Sequence, residues 1–262
     1  MIRLDVRGAA FRHSLSTPWI FEKVEISLSP GIYGLFGPNG SGKTTMLQCI
    51  AGIKAFSKGD IRFILDDRQL RDKGFRERLG YVSQEFAFYE EMKVKDFLIY
   101  VAGMKLIPPQ LVPGRVAKLL SDFGLAGFGQ FRIESLSTGQ RRRLSIAQAM
   151  LNDPHLLLLD EPLEGLDLEE RVQVMELLNE LAGSSIILMV SHILMEIEHW
   201  VDQVLFIVDK HVLGPKSPQQ WKSAMLHEAK GEWTMEAAHS ELAPTLEDVY
   251  LEHVRRRSGM AL

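Results

Sequence analysis

Residues 37 to 44 read GPNGSGKT, and they constrain the fold more than any other stretch of the chain. A loop of the form GxxxxGK[ST] works when a strand leads into it and a helix leads out. The glycines let the backbone curl so that several N–H groups point inward at phosphate oxygens, where side chains would block the approach. The flanks agree with this. Gly31 to Phe36 is strand-like and runs straight in, and about Lys43 to Ala51 is expected to form a helix whose positive end faces the anion. The expected nucleotide-binding residues are Gly37, Pro38, Asn39, Gly40, Ser41, Gly42, Lys43, Thr44 and Thr45. Lys43 is placed to reach the β- and γ-phosphates, and the Thr44 hydroxyl to ligate Mg²⁺.

The rest of the chain supplies a matching frame. Leu156 to Leu159, Ile186 to Val190 and Val204 to Val208 lack polar alternation, as strands buried on both faces do. Between the first two, Leu168 to Leu181 carries apolar residues at helical spacing. This β-α-β order predicts an α/β fold with a mainly parallel sheet. Glu85 to about Gln140 is different. Helix-like segments at Val94 to Met104 and Arg115 to Phe123 are separated by Pro108-Pro109 and Pro113-Gly114, and the loop Gly124 to Gly129 follows. No strand of convincing length occurs there, so it reads as a helical insertion. Arg3 to Leu35 has strand-like segments and turn signals at Thr17-Pro18 and Ser29-Pro30-Gly31, which predicts an N-terminal, partly antiparallel flank. After about Pro215 the pattern loosens. Pro215, Pro218 and Lys230 to Pro244 read as loop with short helices, and Leu246 to Arg257 as a final helix.

Composition removes several function classes. Net charge is −4, without the basic excess of a dedicated nucleic-acid binder. The single cysteine, Cys49, allows no internal disulfide and fits a reducing compartment. No histidines stand three to five apart, so zinc is not suggested. Charges at Arg3, Asp5 and Arg7 stand where a secretory signal would need its apolar region. The longest uncharged apolar run, Phe97 to Met104, is less than half of the roughly 20 residues a membrane span needs. Any membrane role is therefore expected to go through a partner.

Leu156 to Asp160, followed by Glu161-Pro162, reads as a buried strand ending in two acids. In open α/β sheets ligands bind at the carboxyl ends of the strands. Two adjacent acids there point in different directions, so one can face a metal and the other a water. Alone, the pair also reads as a helix cap or a solvated turn; the phosphate loop upstream favours hydrolysis.

With these pieces in place the chain resembles the ABC ATPases, the ATP-binding cassettes that mostly power membrane transport. Leu136-Ser137-Thr138-Gly139-Gln140 is similar to their signature motif, and the resemblance covers roughly residues 1 to 215 in the family's usual order. It implies a P-loop NTPase core with an N-terminal antiparallel β flank and an inserted helical subdomain. The expected division is 1–84 and 146–215 for the ATP-binding core, 85–145 for the helical signature subdomain, and 216–262 for a C-terminal extension. Asp160 resembles the aspartate that holds Mg²⁺, and Glu161 the residue that polarises the attacking water. Gln84, in Tyr81-Val82-Ser83-Gln84, resembles the Q-loop glutamine, a Mg²⁺ ligand and link to the membrane partner. Asp167 resembles the D-loop aspartate, and His192 the switch histidine at the γ-phosphate. Each has a plainer alternative: a solvated glutamine, a surface histidine, an N-cap at Asp167. Joint order and spacing weigh against these. Arg141-Arg142-Arg143 reads as a solvated first helical turn rather than a nucleic-acid patch.

Two departures stand out. Thr138 replaces the usual glycine of the signature, while Ser137 and Gly139, which the family uses to touch the γ-phosphate, are retained. The family's adenine-stacking position falls on His13, with Phe11 as a rival and Trp19 further on. The resemblance further implies ATP and Mg²⁺ as cofactors, and a second cassette as partner, in a homodimer or related heterodimer. It also implies an integral membrane permease subunit, a peripheral place on the cytoplasmic face, and no nucleic acid. The tail Pro244-Thr-Leu-Glu-Asp-Val-Tyr-Leu251 is similar to the endings of export-type cassettes, and an ordinary amphipathic terminal helix is the alternative. A soluble ABC ATPase outside transport, such as an iron–sulfur assembly type, fits the same architecture.

Overall fold

A computed structural model describes residues 1–192, 194–228 and 244–258. The elements run β1 (Ile2–Phe11), β2 (Phe21–Leu28), β3 (Gly31–Phe36), α1 (Lys43–Ile50), β4 (Lys58–Leu65), β5 (Arg68–Leu70), α2 (Asp72–Arg76) and β6 (Leu79–Val82). Then follow α3 (Val94–Met104), α4 (Val112–Asp122), α5 (Thr138–Met150), β7 (Leu156–Asp160), α6 (Leu168–Ala182) and β8 (Ile186–Val190). The last are α7 (Leu194–Ile197), β9 (Gln203–Val208), β10 (His211–Lys216), α8 (Pro218–Glu228) and α9 (Leu246–Ser258). The fold is mixed α/β, with one antiparallel and one mainly parallel sheet. The chain divides into two compact units. One comprises Met1–Leu4, Leu28–Gly31 and Arg62–Met189; the other comprises Asp5–Ser27, Ile32–Ile61 and Val190–Leu262.

In the second of these, here the loop unit, β3 pairs in parallel with β9, Tyr33 opposite Gln203 and Phe36 opposite Phe206. Every residue of β3 is buried, as its unbroken apolar run requires. β10 returns antiparallel from β9 through Asp209-Lys210. Both have positive φ, 46° and 66°, the geometry of a two-residue hairpin whose twist matches its strands.

In the other, the carboxylate unit, β6 and β7 pair in parallel, Leu79 opposite Leu156 and Val82 opposite Leu159. Leu156 to Leu159 and Ile186 to Val190 are buried throughout, as expected of strands covered on both faces. Helices α3, α4 and α5 belong to the region read as a helical insertion, and no strand occurs between Glu85 and Gln140 among the described residues. No helix among the described residues is long and apolar enough to cross a membrane.

Two local expectations need correction. Pro113-Gly114 was expected to separate segments, yet α4 begins at Val112 and takes both into its first turn. Proline is tolerated there because its missing N–H would have no helical acceptor anyway. Pro215 was expected in a stretch of loop with short helices, and instead lies within β10. Pro218 of the same stretch opens α8, where Ser217 and Gln220 bond each other's backbone N–H groups. Of the stretch Lys230 to Pro244, residues 230–243 lie outside the described residues.

Candidate functional site

The phosphate loop leaves the end of β3 and enters α1 without an intervening element. Gly40 and Gly42 have φ of 79° and 99°, a region that L side chains avoid. Space is short as well. A Cβ on Gly42 would stand 2.4 Å from Ile20 Cγ2, and one on Gly37 would stand 2.8 Å from Ser41 Oγ. The loop therefore closes on itself with its backbone turned to one side. Lys43 is buried, and its Nζ donates to the carbonyls of Gly37 at 2.7 Å and Pro38 at 3.1 Å, straddling the loop. Thr44 and Thr45 follow in the first turn of α1, which carries no acidic residue to oppose an anion. The Ser41 hydroxyl is buried without a hydrogen-bond partner inside the protein, the state of a donor kept for a ligand.

Beside the loop opens a cavity of about 670 Å³. Pro38, Asn39, Gly40 and Ser41 form one side of it, and the β9–β10 turn at Asp209-Lys210 another. His13 and Trp19 line it too. Phe11, the rival of His13 for base stacking, is instead buried and stacked on Phe21 with ring centres 6.1 Å apart. The Trp19 ring has Arg12 at 4.3 Å and Lys58 at 5.3 Å from its centre. Among the lining residues that escaped the sequence reading are Tyr250 and Val254 of α9, more than 200 residues from the loop. The tail motif was visible, but nothing in it signalled a place at a cavity.

In the carboxylate unit, β7 ends on Asp160, only 1 % exposed, and Glu161 follows, also buried. Glu161 has φ 50°, a left-handed conformation that costs a non-glycine residue of the order of 1–2 kcal/mol. The strained conformation falls at the exit of a buried strand, the edge at which ligands bind in open α/β sheets. Gln84 stands two residues beyond β6, the parallel neighbour of β7, so glutamine and carboxylates leave adjacent strands at the same carboxyl edge. Gln84 is exposed. His192, which belongs to the loop unit, follows β8 by two residues and is exposed.

The signature forms the start of α5. Leu136 is buried, and Ser137 is the N-cap. Its hydroxyl accepts from the Gln140 N–H at 3.2 Å, and Gln140 Oε1 accepts from the Ser137 N–H at 2.9 Å. This reciprocal box holds the turn, while Ser137 and Thr138 stay exposed. Gly139 is buried against the segment Glu164 to Glu170: a Cβ there would lie 2.7 Å from Glu170 Oε2 and 3.2 Å from the Gly165 carbonyl. Thr138 is accommodated because Gly165, at φ 79°, has no side chain to meet its methyl group. Asp167 caps α6, accepting from the Glu170 N–H at 2.9 Å, so the plainer reading of that residue is realised in the fold.

The three arginines after the signature correct the expectation of a solvated turn. Arg142 is 3 % exposed; it lies 4.7 Å over the Phe86 ring and donates to the carbonyls of Ser83 and Glu164, each at 3.4 Å. Burial lowers its pKa, and the Glu164, Glu161 and Asp160 carboxylates oppose that shift. Arg143 is buried with Glu170 Oε1 at 2.8 Å and the Phe123 carbonyl at 2.8 Å. Arg141 bonds Glu90 at 2.8 Å and the carbonyls of Glu134 and Leu136. These side chains tie the signature helix to the segments after β6 and β7.

Such a loop, set between a buried strand and a helix in an α/β fold, defines a P-loop nucleotide-binding protein. The family model described as ABC transporter matches residues 21–164, more than half of the chain, and the chain belongs to that family. An uncharacterized ABC transporter ATP-binding protein of Nostoc sp. is 36% identical over 178 residues, 67% of this chain and 52% of the relative. The molybdenum import ATP-binding protein ModC of Pseudomonas syringae is 34% identical over 210 residues, 77% of this chain and 58% of the relative. The chain thus spans little more than half the length of these relatives. Among solved structures, an ATP-binding subunit of an ABC transporter superposes with a TM-score of 0.80 at 22% identity, covering 95% of this chain and 98% of that one. A dimeric ATP-binding cassette in a post-hydrolysis state with ADP and phosphate superposes at 0.71 and 21% identity, covering 82% of this chain and 98% of that one. At these identities both show likeness of fold.

Proposed function

We propose that the chain is the ATP-binding and hydrolysing subunit of an ABC membrane transporter. Its working unit is two cassettes facing head to tail with two ATP molecules between them. Lys43, Thr44, Gln84, Asp160, Glu161 and His192 act on each nucleotide from one chain, and Ser137 and Gly139 from the other. A two-fold arrangement serves both sites equally. Glu161 orients and polarises the water that attacks the γ-phosphorus in line, and ADP departs as the bond to its β-phosphate oxygen breaks. Lys43 and His192 offset the charge on the transferring group. The candidate Mg²⁺ donors are all oxygens: the Thr44 hydroxyl, the Gln84 amide and the Asp160 carboxylate. Mg²⁺ favours such donors and keeps several waters and substrate phosphates in its shell. Among the described residues no three His, Cys, Asp or Glu side chains cluster into an all-protein cage, which suits an ion shared with phosphate. When bound, the ion would supply positive charge to the nucleotide phosphates.

The observation that carries this reading is the buried Asp160-Glu161 pair, with Glu161 held at positive φ, in a chain that also presents a capped signature helix. ATP closes the dimer and hydrolysis opens it, and the region 85–145 passes that motion to an integral permease subunit. The chain then works at the cytoplasmic face as a peripheral subunit. Among relatives, ModC and MetN are named for import of molybdenum and methionine. We favour export here on the Leu246–Leu251 tail alone. The test is recovery from detergent extracts. A single integral membrane protein copurifying with this chain is expected; a chain wholly soluble and free of any membrane protein contradicts the transporter reading.

A further inference from the structure

The C-terminal helix meets the loop unit at the strand that feeds the phosphate loop. Phe36 is the last residue before Gly37, and its ring lies 5.0 Å from Tyr250 in an edge-to-face contact. Phe206, opposite Phe36 on β9, lies 5.6 Å from Tyr250 and 4.9 Å from Trp221. Trp221 is buried, donates its Nε1–H to the Val204 carbonyl at 3.0 Å, and meets the His253 ring at 5.3 Å. Leu246 and Val249 are fully buried. This aromatic cluster fixes α9 by one face. Tyr250 itself, and Val254 one turn further on, border the same cavity as Pro38 to Ser41 and His13.

A phosphate loop holds the phosphates of a nucleotide, and the base must lie beyond them in the adjoining space. Here that space is walled by His13 and Trp19 at one point and by the apolar surface of α9 at another. We propose that α9 is part of the nucleotide site, with Tyr250 and Val254 forming an apolar wall against the purine base and ribose, so that the C-terminal segment sets nucleotide affinity. The inference rests on the reading of the loop as an ATP site and gives the tail a role separate from any contact with a permease. Binding is driven by removing the base from water against a surface already held in place, so the wall contributes to affinity without reading exocyclic groups.

The test compares ADP with tripolyphosphate, which carries phosphates and no base, by calorimetric titration of the full chain. Val254 is only partly buried, so Val254→Trp fills the space with little demand on folding. It is expected to weaken ADP binding about tenfold or more while tripolyphosphate affinity stays within about twofold. Tyr250→Leu, which keeps an apolar side chain in the cluster, is expected to weaken ADP in the same selective way. Unchanged ADP affinity in both variants overturns the inference, and so does a parallel loss of ADP and tripolyphosphate, since that places the effect in the loop. If the unaltered chain binds neither ligand, the ATP-site reading itself falls and this inference with it.

Discussion

Glu161 is a strained residue at the position proposed to activate the attacking water. Its backbone sits where glycine is at ease and a glutamate is not. Glu161→Gly is therefore expected to abolish ATP hydrolysis while leaving thermal stability equal or higher, by up to about 1 kcal/mol. A clear fall in melting temperature would show that the side chain supports the fold rather than the chemistry. Glu170 is the structural counterpart. Its carboxylate accepts from the Asp167 N–H at 3.2 Å and pairs with buried Arg143 at 2.8 Å. Glu170→Ala leaves that guanidinium without its carboxylate and α6 without its box, so a loss of about 3 kcal/mol is expected in urea unfolding. A loss below about 1 kcal/mol would mean that solvent reaches Arg143 readily. The role expected of Glu161 came from the family resemblance, whereas the Glu170–Arg143 pairing has no local signal in the sequence. Arg142 and Arg143 look like a polar turn because their partners lie 20 to 59 residues away.

At the scale of elements, legibility followed burial. Strands β7 and β8 are covered on both faces, so their apolar runs identify them directly. The hairpin of β4 and β5 escaped notice because most of its residues are exposed or half-buried, with charges at Lys58, Asp60, Arg62 and Arg68, and its turn is Asp66-Asp67 at positive φ rather than a glycine. The phosphate loop was legible because its chemistry demands residues close together in sequence. The α9 wall was not, because tertiary packing alone brings Tyr250 to it. Lys105 is the C-cap of α3, and burial lowers its pKa to about 8. Its Nζ donates to Asn152 Oδ1 at 2.7 Å. A lysine with a depressed folded pKa weakens the fold at pH 7, where both states are protonated but the folded one holds the charge in poor solvent. Between about pH 8 and 10.5 the unfolded state binds more protons, so stability rises with pH. Relative to Lys105→Met, the native chain should gain roughly 2 kcal/mol from pH 7 to pH 10 in urea unfolding. A difference independent of pH contradicts the depressed pKa.

On the scale of the whole molecule, the signature turn offers Ser137 and Thr138 to solvent, while Gly139 and the arginines behind it are fixed within the chain. A helix start held this firmly and left open at its tip suits a nucleotide brought by another copy. On the proposed function dimerisation is part of the chemistry, and a variant that binds ATP without hydrolysing it should accumulate the closed pair. The decisive measurement is the mass in solution of Glu161→Gln with saturating MgATP, by light scattering after gel filtration. The account predicts a dimer with MgATP that reverts to monomer with MgADP, and that is lost when Ser137→Arg obstructs the signature tip. A Glu161→Gln chain that binds ATP and remains monomeric at saturation contradicts it.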